Sequence, residues 1–87
     1  MIHVRLPSQL HSYTGGLKQL ELDAGTLAEL ANVLDERFPG IRFRIIDEHG
    51  RIRRHIQFFV NGEQVRDLSH QLADGNEVQI VGALSGG

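Results

Sequence analysis

One amphipathic helix constrains the fold of this chain more than any other feature, and it is predicted within GTLAELANVLDERFPG, residues 25–40. Thr26 and Glu29 match a capping box, in which each side chain accepts a hydrogen bond from the other residue's free backbone N–H. Apolar residues then recur with the spacing of one helical face: Leu27, Leu30, Ala31, Leu34 and Phe38. Pro39 and Gly40 end the helix. A helix with one apolar face must bury it, so we expect this one to lie on a sheet.

The segments before the helix alternate as half-buried strands do. MIHVRLP places Ile2, Val4 and Leu6 on one face, and LKQLEL places Leu20 and Leu22 on one face. The stretch between them, SQLHSYTGG, is polar and contains glycine, which predicts a loop or a wide hairpin turn.

The segments after the helix predict a hairpin and a final strand. In HIQFFVNGEQV, Asn61-Gly62 supplies the two positive φ angles of a type I′ turn. Three residues of the first hairpin strand share one face: Ile56, Phe58 and Val60. EVQIV, residues 77–81, is the last predicted strand, with Val78 and Ile80 directed inward.

Two secondary structures are compatible with residues 41–54, IRFRIIDEHGRIRR. Ile41, Phe43 and Ile45 alternate as in a strand, whereas Ile41, Ile45 and Ile46 also suit a short helix. The DEHG stretch predicts a turn in both. With this segment left open, the order of elements predicts an α+β fold with a mixed sheet of four to five strands. One main helix packs on one face of that sheet.

Composition excludes several classes of protein. Nine Lys and Arg against eleven Asp and Glu give a net charge of -2, which disfavours general nucleic-acid binding. No apolar run approaches the ~20 residues of a membrane span, and the N-terminal stretch does not resemble a signal peptide. We therefore expect a cytoplasmic protein with no membrane partner.

The side chains that support catalysis are also missing or badly spaced. Cysteine is absent, so disulfides, zinc thiolates and a thiol nucleophile are excluded. Five histidines lack the spacing of metal ligands, so we expect no metal site: His3, His11, His49, His55 and His70. No phosphate-binding loop or Ser/His/Asp arrangement is present either. We expect that the chain is not an enzyme by itself.

Short motifs along nearly the whole chain resemble those of one family. They are Tyr13-Thr14-Gly15-Gly16, Thr26-Leu27, Phe38-Pro39-Gly40-Ile41, residues 47–53, Val60-Asn61-Gly62-Glu63, residues 72–75 and Ser85-Gly86-Gly87. In this order they resemble the MoaD/ThiS family of ubiquitin-like sulfur carriers, above all its CysO-type members of cysteine biosynthesis and MoaD-like relatives. The resemblance implies the β-grasp fold, with a domain over residues 1–81 and a flexible tail over residues 82–87.

The resemblance also implies the chemistry. A partner adenylating enzyme of the MoeB/ThiF type would use ATP to activate the carboxylate of Gly87. Sulfide or a persulfide would then displace AMP and leave a thiocarboxylate, and a sulfur-accepting synthase would take the sulfur. The chain would be a protein co-substrate that binds no cofactor itself and is a monomer when free. Gly86 and Gly87 suit this role, because a chain without side chains can thread a narrow site without misplacing the attacked carbon.

The resemblance places partner contacts in two regions. Ala83 and Ser85 keep the tail slim, and Leu84 is expected to enter an apolar notch on a partner. Phe59 and Val81 fall where ubiquitin-like proteins expose an apolar recognition patch. The alternative for Phe59 is partial cover by the 41–54 segment.

A cluster of arginines has two interpretations: Arg42, Arg44, Arg51, Arg53 and Arg54. The cluster is either a docking surface for an acidic partner or a solvated face. RNA is disfavoured, because Asp47 and Glu48 interrupt the run and the net charge is negative.

Alternative functions share the same fold. In the first alternative, the chain is the small subunit of a molybdopterin synthase. Against it, the VGALS stretch before the last two glycines lacks the prolines that many such subunits have there. It would otherwise be a protein modifier that joins Gly87 to a lysine of a target, or an inert β-grasp interaction module. Lys18 is the single lysine of the chain, so it is the one side chain to which Gly87 of another copy could be joined.

Overall fold

A five-stranded sheet is the framework of the structure, a computed structural model that describes residues 1–82. In chain order its strands are β1 (Ile2–Arg5), β2 (Gln19–Leu22), β3 (Ile56–Val60), β4 (Glu63–Val65) and β5 (Glu77–Gly82). In space the order is β2-β1-β5-β3-β4. Strands β1 and β5 pair in parallel, and the other neighbours are antiparallel. The predicted mixed sheet is confirmed, with the last strand at its centre.

The segment predicted to be a loop between β1 and β2 is instead partly helical. A 3₁₀ turn at Ser8–Leu10 leads into the short helix α1 at His11–Thr14. Leu10 is buried, which anchors the segment against the core. Gly15 ends α1 in the left-handed region, with a φ of 67°. Burial of one leucine therefore orders a stretch that has no periodic pattern of its own.

The predicted amphipathic helix is α2, Leu27–Arg37. Its cap differs from the predicted box in one bond. The backbone N–H of Glu29 donates to Oγ1 of Thr26 at 3.2 Å, as expected, but Oε2 of Glu29 accepts from Gly25 rather than Thr26, at 2.7 Å. Four residues of the predicted apolar face are buried: Leu27, Leu30, Ala31 and Leu34. Phe38, just after the helix, is partly buried.

The ambiguous segment begins as a helix, α3 (Ile41–Ile45), and continues as a turn. Oδ1 of Asp35 accepts from the backbone N–H groups of Gly40 and Arg42, each at 3.1 Å, which fixes the start of α3. Ile46 and Ile52, on either side of the turn, form a single β-bridge. The segment is therefore neither one strand nor one helix throughout.

A single apolar core joins the sheet to the helices. The inward residues of the central strands, among them Val4, Phe58 and Val78, are fully buried. They belong to one cluster with the apolar face of α2 and with Ile41 and Ile45 of α3. The opposite face, here called the open face, carries outward strand residues that are exposed or partly buried, among them Gln57, Phe59 and Gln79.

Candidate partner-binding site

Two apolar side chains lie together on the open face of the sheet. Phe59 of β3 pairs with Gln79 of β5, and Val81 pairs with Gln57. Phe59 and Val81 are therefore diagonal neighbours on one face, within reach of each other's side chains. Both are partly buried. The structure thus brings together the two sheet residues that the sequence assigned to a recognition patch.

Polar side chains surround this pair. On β5 and β4, Gln79 and Gln64 lie opposite Phe59. Further along the same face, Nε2 of His3 and Oε1 of Gln19 are 2.9 Å apart, and Nε of Arg5 is 3.7 Å from a carboxylate oxygen of Glu77. An apolar spot with a polar rim is typical of protein interfaces.

Gly82 lies one residue beyond Val81 and is held by a side chain from the other end of the sequence. The side-chain amide of Gln9 donates to the carbonyl oxygen of Gly82 at 2.9 Å. A Cβ atom at position 82 would lie 2.9 Å from the same amide group, so a glycine fits there. Gln9, Gly82 and Val81 also line one shallow cleft of about 340 Å³. No pattern in the sequence pointed to Gln9, because 73 positions separate it from Gly82.

The predicted tail residues lie outside the described residues. These are Gly87 and Gly86, for the thiocarboxylate, and Ala83, Leu84 and Ser85, for partner contacts. Strand β5 extends to Gly82, one residue past the predicted domain boundary at residue 81. The described site is therefore the surface from which the tail continues.

The arginine cluster divides between two elements. Arg42 and Arg44 belong to α3, and the others follow it in the loop before β3. Arg53 is bound within the protein: its Nε donates to the carbonyl oxygen of Phe43 at 2.6 Å, and its guanidinium lies 4.5 Å from the centre of the Phe43 ring. Arg51 and Arg53 line one cleft together with Arg66, which the sequence analysis did not include.

Residues 1–82 contain no group of three or more His, Asp and Glu side chains placed to hold a metal ion. Among the helices in this range, none has the length and apolar character that crossing a membrane requires.

The fold defines a class of protein. A mixed five-stranded sheet with a helix packed on one face is the architecture of ubiquitin-like β-grasp proteins. The model of the ThiS family matches residues 4–87, and the chain belongs to that family. The predicted family and the predicted β-grasp fold are confirmed.

Three comparisons show how far the similarity extends. Sulfur carrier protein CysO from Mycobacterium tuberculosis is 33% identical over 91 residues, which cover 99% of this chain and 98% of the relative. A chain in the crystal structure of the BexX/CysO complex from Amycolatopsis orientalis is 32% identical, covers 100% of both chains and has a TM-score of 0.91. The crystal structure of CysO from Mycobacterium tuberculosis is 31% identical, covers 97% of this chain and 100% of its own, and has a TM-score of 0.89.

Proposed function

We propose that this protein is a sulfur carrier of the cysteine-biosynthesis type, with the carboxylate of Gly87 as the group that bears the sulfur. The observation that carries the proposal is the end-to-end similarity to sulfur carrier protein CysO. Membership of the ThiS family supports the same chemistry. The proposal places catalysis on partner enzymes, since a carboxylate is a poor electrophile until it is activated.

The proposed reaction has two steps. A carboxylate oxygen of Gly87 attacks the α-phosphorus of ATP in a partner of the MoeB/ThiF type, and pyrophosphate leaves. Sulfide then attacks the acyl carbon, and AMP leaves with the oxygen, so that a thiocarboxylate remains. A persulfide serves as the sulfur source if a second thiol cleaves the acyl disulfide that it forms. Because the activation consumes ATP, the proposal places the protein in the cytoplasm.

The described surface supports this role through positioning. Phe59 and Val81 offer an apolar contact next to the last described residue, Gly82. A partner that covers this pair would lie close to the start of the tail, and holding reacting groups in place is a large part of catalysis. The sulfur-accepting synthase would use the same surface after the activating enzyme leaves.

The test is a mass spectrum of the C-terminal tryptic peptide after reaction with the cognate activating enzyme, ATP and sulfide. Cleavage after Arg66 releases residues 67–87, which contain no methionine, so methionine oxidation cannot imitate the exchange of oxygen for sulfur. We expect that exchange at Gly87 and its reversal on mild hydrolysis. The matched control is the chain without Gly86 and Gly87, which should stay folded and unmodified.

Other outcomes select the alternatives. A peptide that stays a carboxylate while a known carrier is converted would contradict the sulfur proposal. A peptide joined to a lysine of a second protein would indicate a modifier. A thiocarboxylate found only in a stable complex with a pterin-binding subunit would indicate a molybdopterin synthase.

A further inference from the structure

A second cleft, of about 540 Å³, lies where β3 begins and β4 ends. Residues 50–53 form one wall, and residues 66–68 form another. Neither Phe59 nor Val81 lines it. The cleft therefore does not include the apolar pair but adjoins it, because Gln57 and Gln64, the strand partners of Val81 and Phe59, line it.

The cleft concentrates positive charge in an acidic protein. Three of the nine Lys and Arg residues line the cleft: Arg51, Arg53 and Arg66. Of the eleven Asp and Glu residues, Asp67 alone is among the described residues that line it. The carboxylate of Asp67 is engaged by Ser69, accepting from its hydroxyl at 2.7 Å and from its backbone N–H at 2.9 Å. These bonds hold the pKa of Asp67 below its usual value, so it stays ionised within its own turn.

Two of the three arginines are available to a partner. Arg53 is committed to Phe43, as described above. Arg51 and Arg66 are exposed, and within residues 1–82 the ion pairs involve other side chains. Two unpaired guanidinium groups on one cleft attract carboxylates and can bind them in bidentate geometry.

The floor of the cleft is apolar. Ile52, Val65 and Leu68 line it and are partly buried, and each packs against the core. A partly exposed apolar floor with cations on its rim suits a segment that combines an apolar side chain with carboxylates. RNA suits it less, because bases need exposed aromatic rings to stack on, and Phe58, the one aromatic residue that lines the cleft, is fully buried.

We propose that this cleft binds an acidic segment of a partner protein. An apolar side chain of that segment lies against Ile52, Val65 and Leu68, and flanking carboxylates pair with Arg51 and Arg66. The cleft adds a binding surface to those next to the tail, and it needs neither ATP nor Gly87. Binding here and sulfur transfer can therefore be tested apart, and failure of one leaves the other intact.

The first experiment titrates the ¹⁵N-labelled full chain with the peptide acetyl-Glu-Glu-Leu-Glu-Glu-amide and follows backbone amides by two-dimensional NMR. We expect shifts at residues 50–53 and 64–68. The peptide with glutamine in place of each glutamate should bind at least about threefold more weakly, because exposed ion pairs are individually weak but two are lost. An absence of shifts at these amides, or equal binding of both peptides, would overturn the proposal.

The second experiment compares two double variants with the same net charge. Arg51→Gln with Arg66→Gln should weaken binding of the acidic peptide at least about threefold. Arg44→Gln with Arg54→Gln removes two exposed charges that do not line the cleft, and it should leave binding within about twofold of the unmodified chain. Equal weakening in both would show a general effect of charge and refute the cleft. Tighter binding of a ten-residue oligothymidine at the same amides would reassign it to nucleic acid.

Discussion

The side-chain amide of Gln9 donates a 2.9 Å hydrogen bond to the carbonyl oxygen of Gly82 and so ties the 3₁₀ turn after β1 to the end of the central strand. The same amide fills the space that a Cβ atom at position 82 would occupy. The two residues therefore fit each other in both hydrogen bonding and volume. The last described residue of β5 is therefore held by a side chain 73 positions earlier.

This relationship predicts energetic coupling between positions 9 and 82. Gly82→Ala should displace the Gln9 amide and break the hydrogen bond, at a cost of about 0.5–1 kcal/mol, because the amide ends a flexible, exposed side chain. In a Gln9→Ala background the added methyl group meets no amide, so the same substitution should cost less. Urea unfolding of both single variants and the double variant measures the difference. Strictly additive costs would contradict the coupling.

Adjacent phenylalanines of β3 are predicted to have opposite roles. Phe58 is fully buried, so Phe58→Ala should lower the free energy of unfolding by about 3–5 kcal/mol. Phe59 is only partly buried on the open face, so Phe59→Ala should cost about 1–2 kcal/mol. Urea unfolding measures both.

Phe59→Ala should also slow thiocarboxylate formation when the carrier is below saturation, because it removes a docking contact and not a reacting group. The rate at saturating carrier should stay near that of the unmodified chain. A lower rate of thiocarboxylate formation seen only at saturating carrier would argue against a docking role for Phe59.

The cap of α2 predicts a local cost. Thr26→Ala removes the acceptor for the backbone N–H of Glu29, and we expect it to lower stability by about 1 kcal/mol. Thr26→Ser keeps the hydroxyl group and is the matched control. Thermal unfolding of the two variants should separate them, and equal midpoints would show that the hydrogen bond adds nothing to stability.

Asp47 predicts a dependence of stability on pH. Its pKa lies below the ordinary value of 3.8, first because the carboxylate accepts from the backbone N–H of Arg51, at 3.0 Å, and then because it accepts from that of His49, at 2.9 Å. Ionised Asp47 therefore stabilises the fold fully above the unfolded pKa, and this contribution is lost as the pH falls through the lower, folded pKa.

Asp47→Asn tests this, because it removes the charge and keeps an acceptor oxygen. The unmodified chain should be more stable than the variant at about pH 6, and the gap should narrow below about pH 3.8. Urea midpoints across this range measure the gap. Glu36→Gln, at an exposed position of α2, is the control for loss of a carboxylate. A difference in stability between the two chains that grows as the pH falls would contradict the lowered pKa of Asp47.

The parts of the fold that repeat a pattern could be predicted from the sequence. Alternation located β1 and β3, the Asn61-Gly62 pair located the hairpin, and helical spacing located α2. The grouping of Phe59 with Val81 came from the resemblance to ubiquitin-like proteins, and the antiparallel register of β3 and β5 places the two residues on one face.

Features that depend on distant contacts could not be predicted. Residues 41–45 satisfy both strand and helix spacing, and the choice is made by Asp35, which binds two backbone N–H groups at the start of α3. The short helix after β1 depends on burial of Leu10. Arg66 comes to lie beside Arg51 only because β4 ends next to the loop before β3. The last of these features requires the strand order, which no local pattern contains.

The position of β5 has a consequence for how the protein is made. This strand is the last of the described chain to leave the ribosome, yet it separates β1 from β3 and pairs with both. A nascent chain that stops before residue 77 lacks the strand that closes the sheet, and its apolar residues stay exposed to proteases and to aggregation. Translation must therefore complete β5 before the fold can form, and synthesis interrupted before residue 77 yields fragments for degradation rather than folded protein.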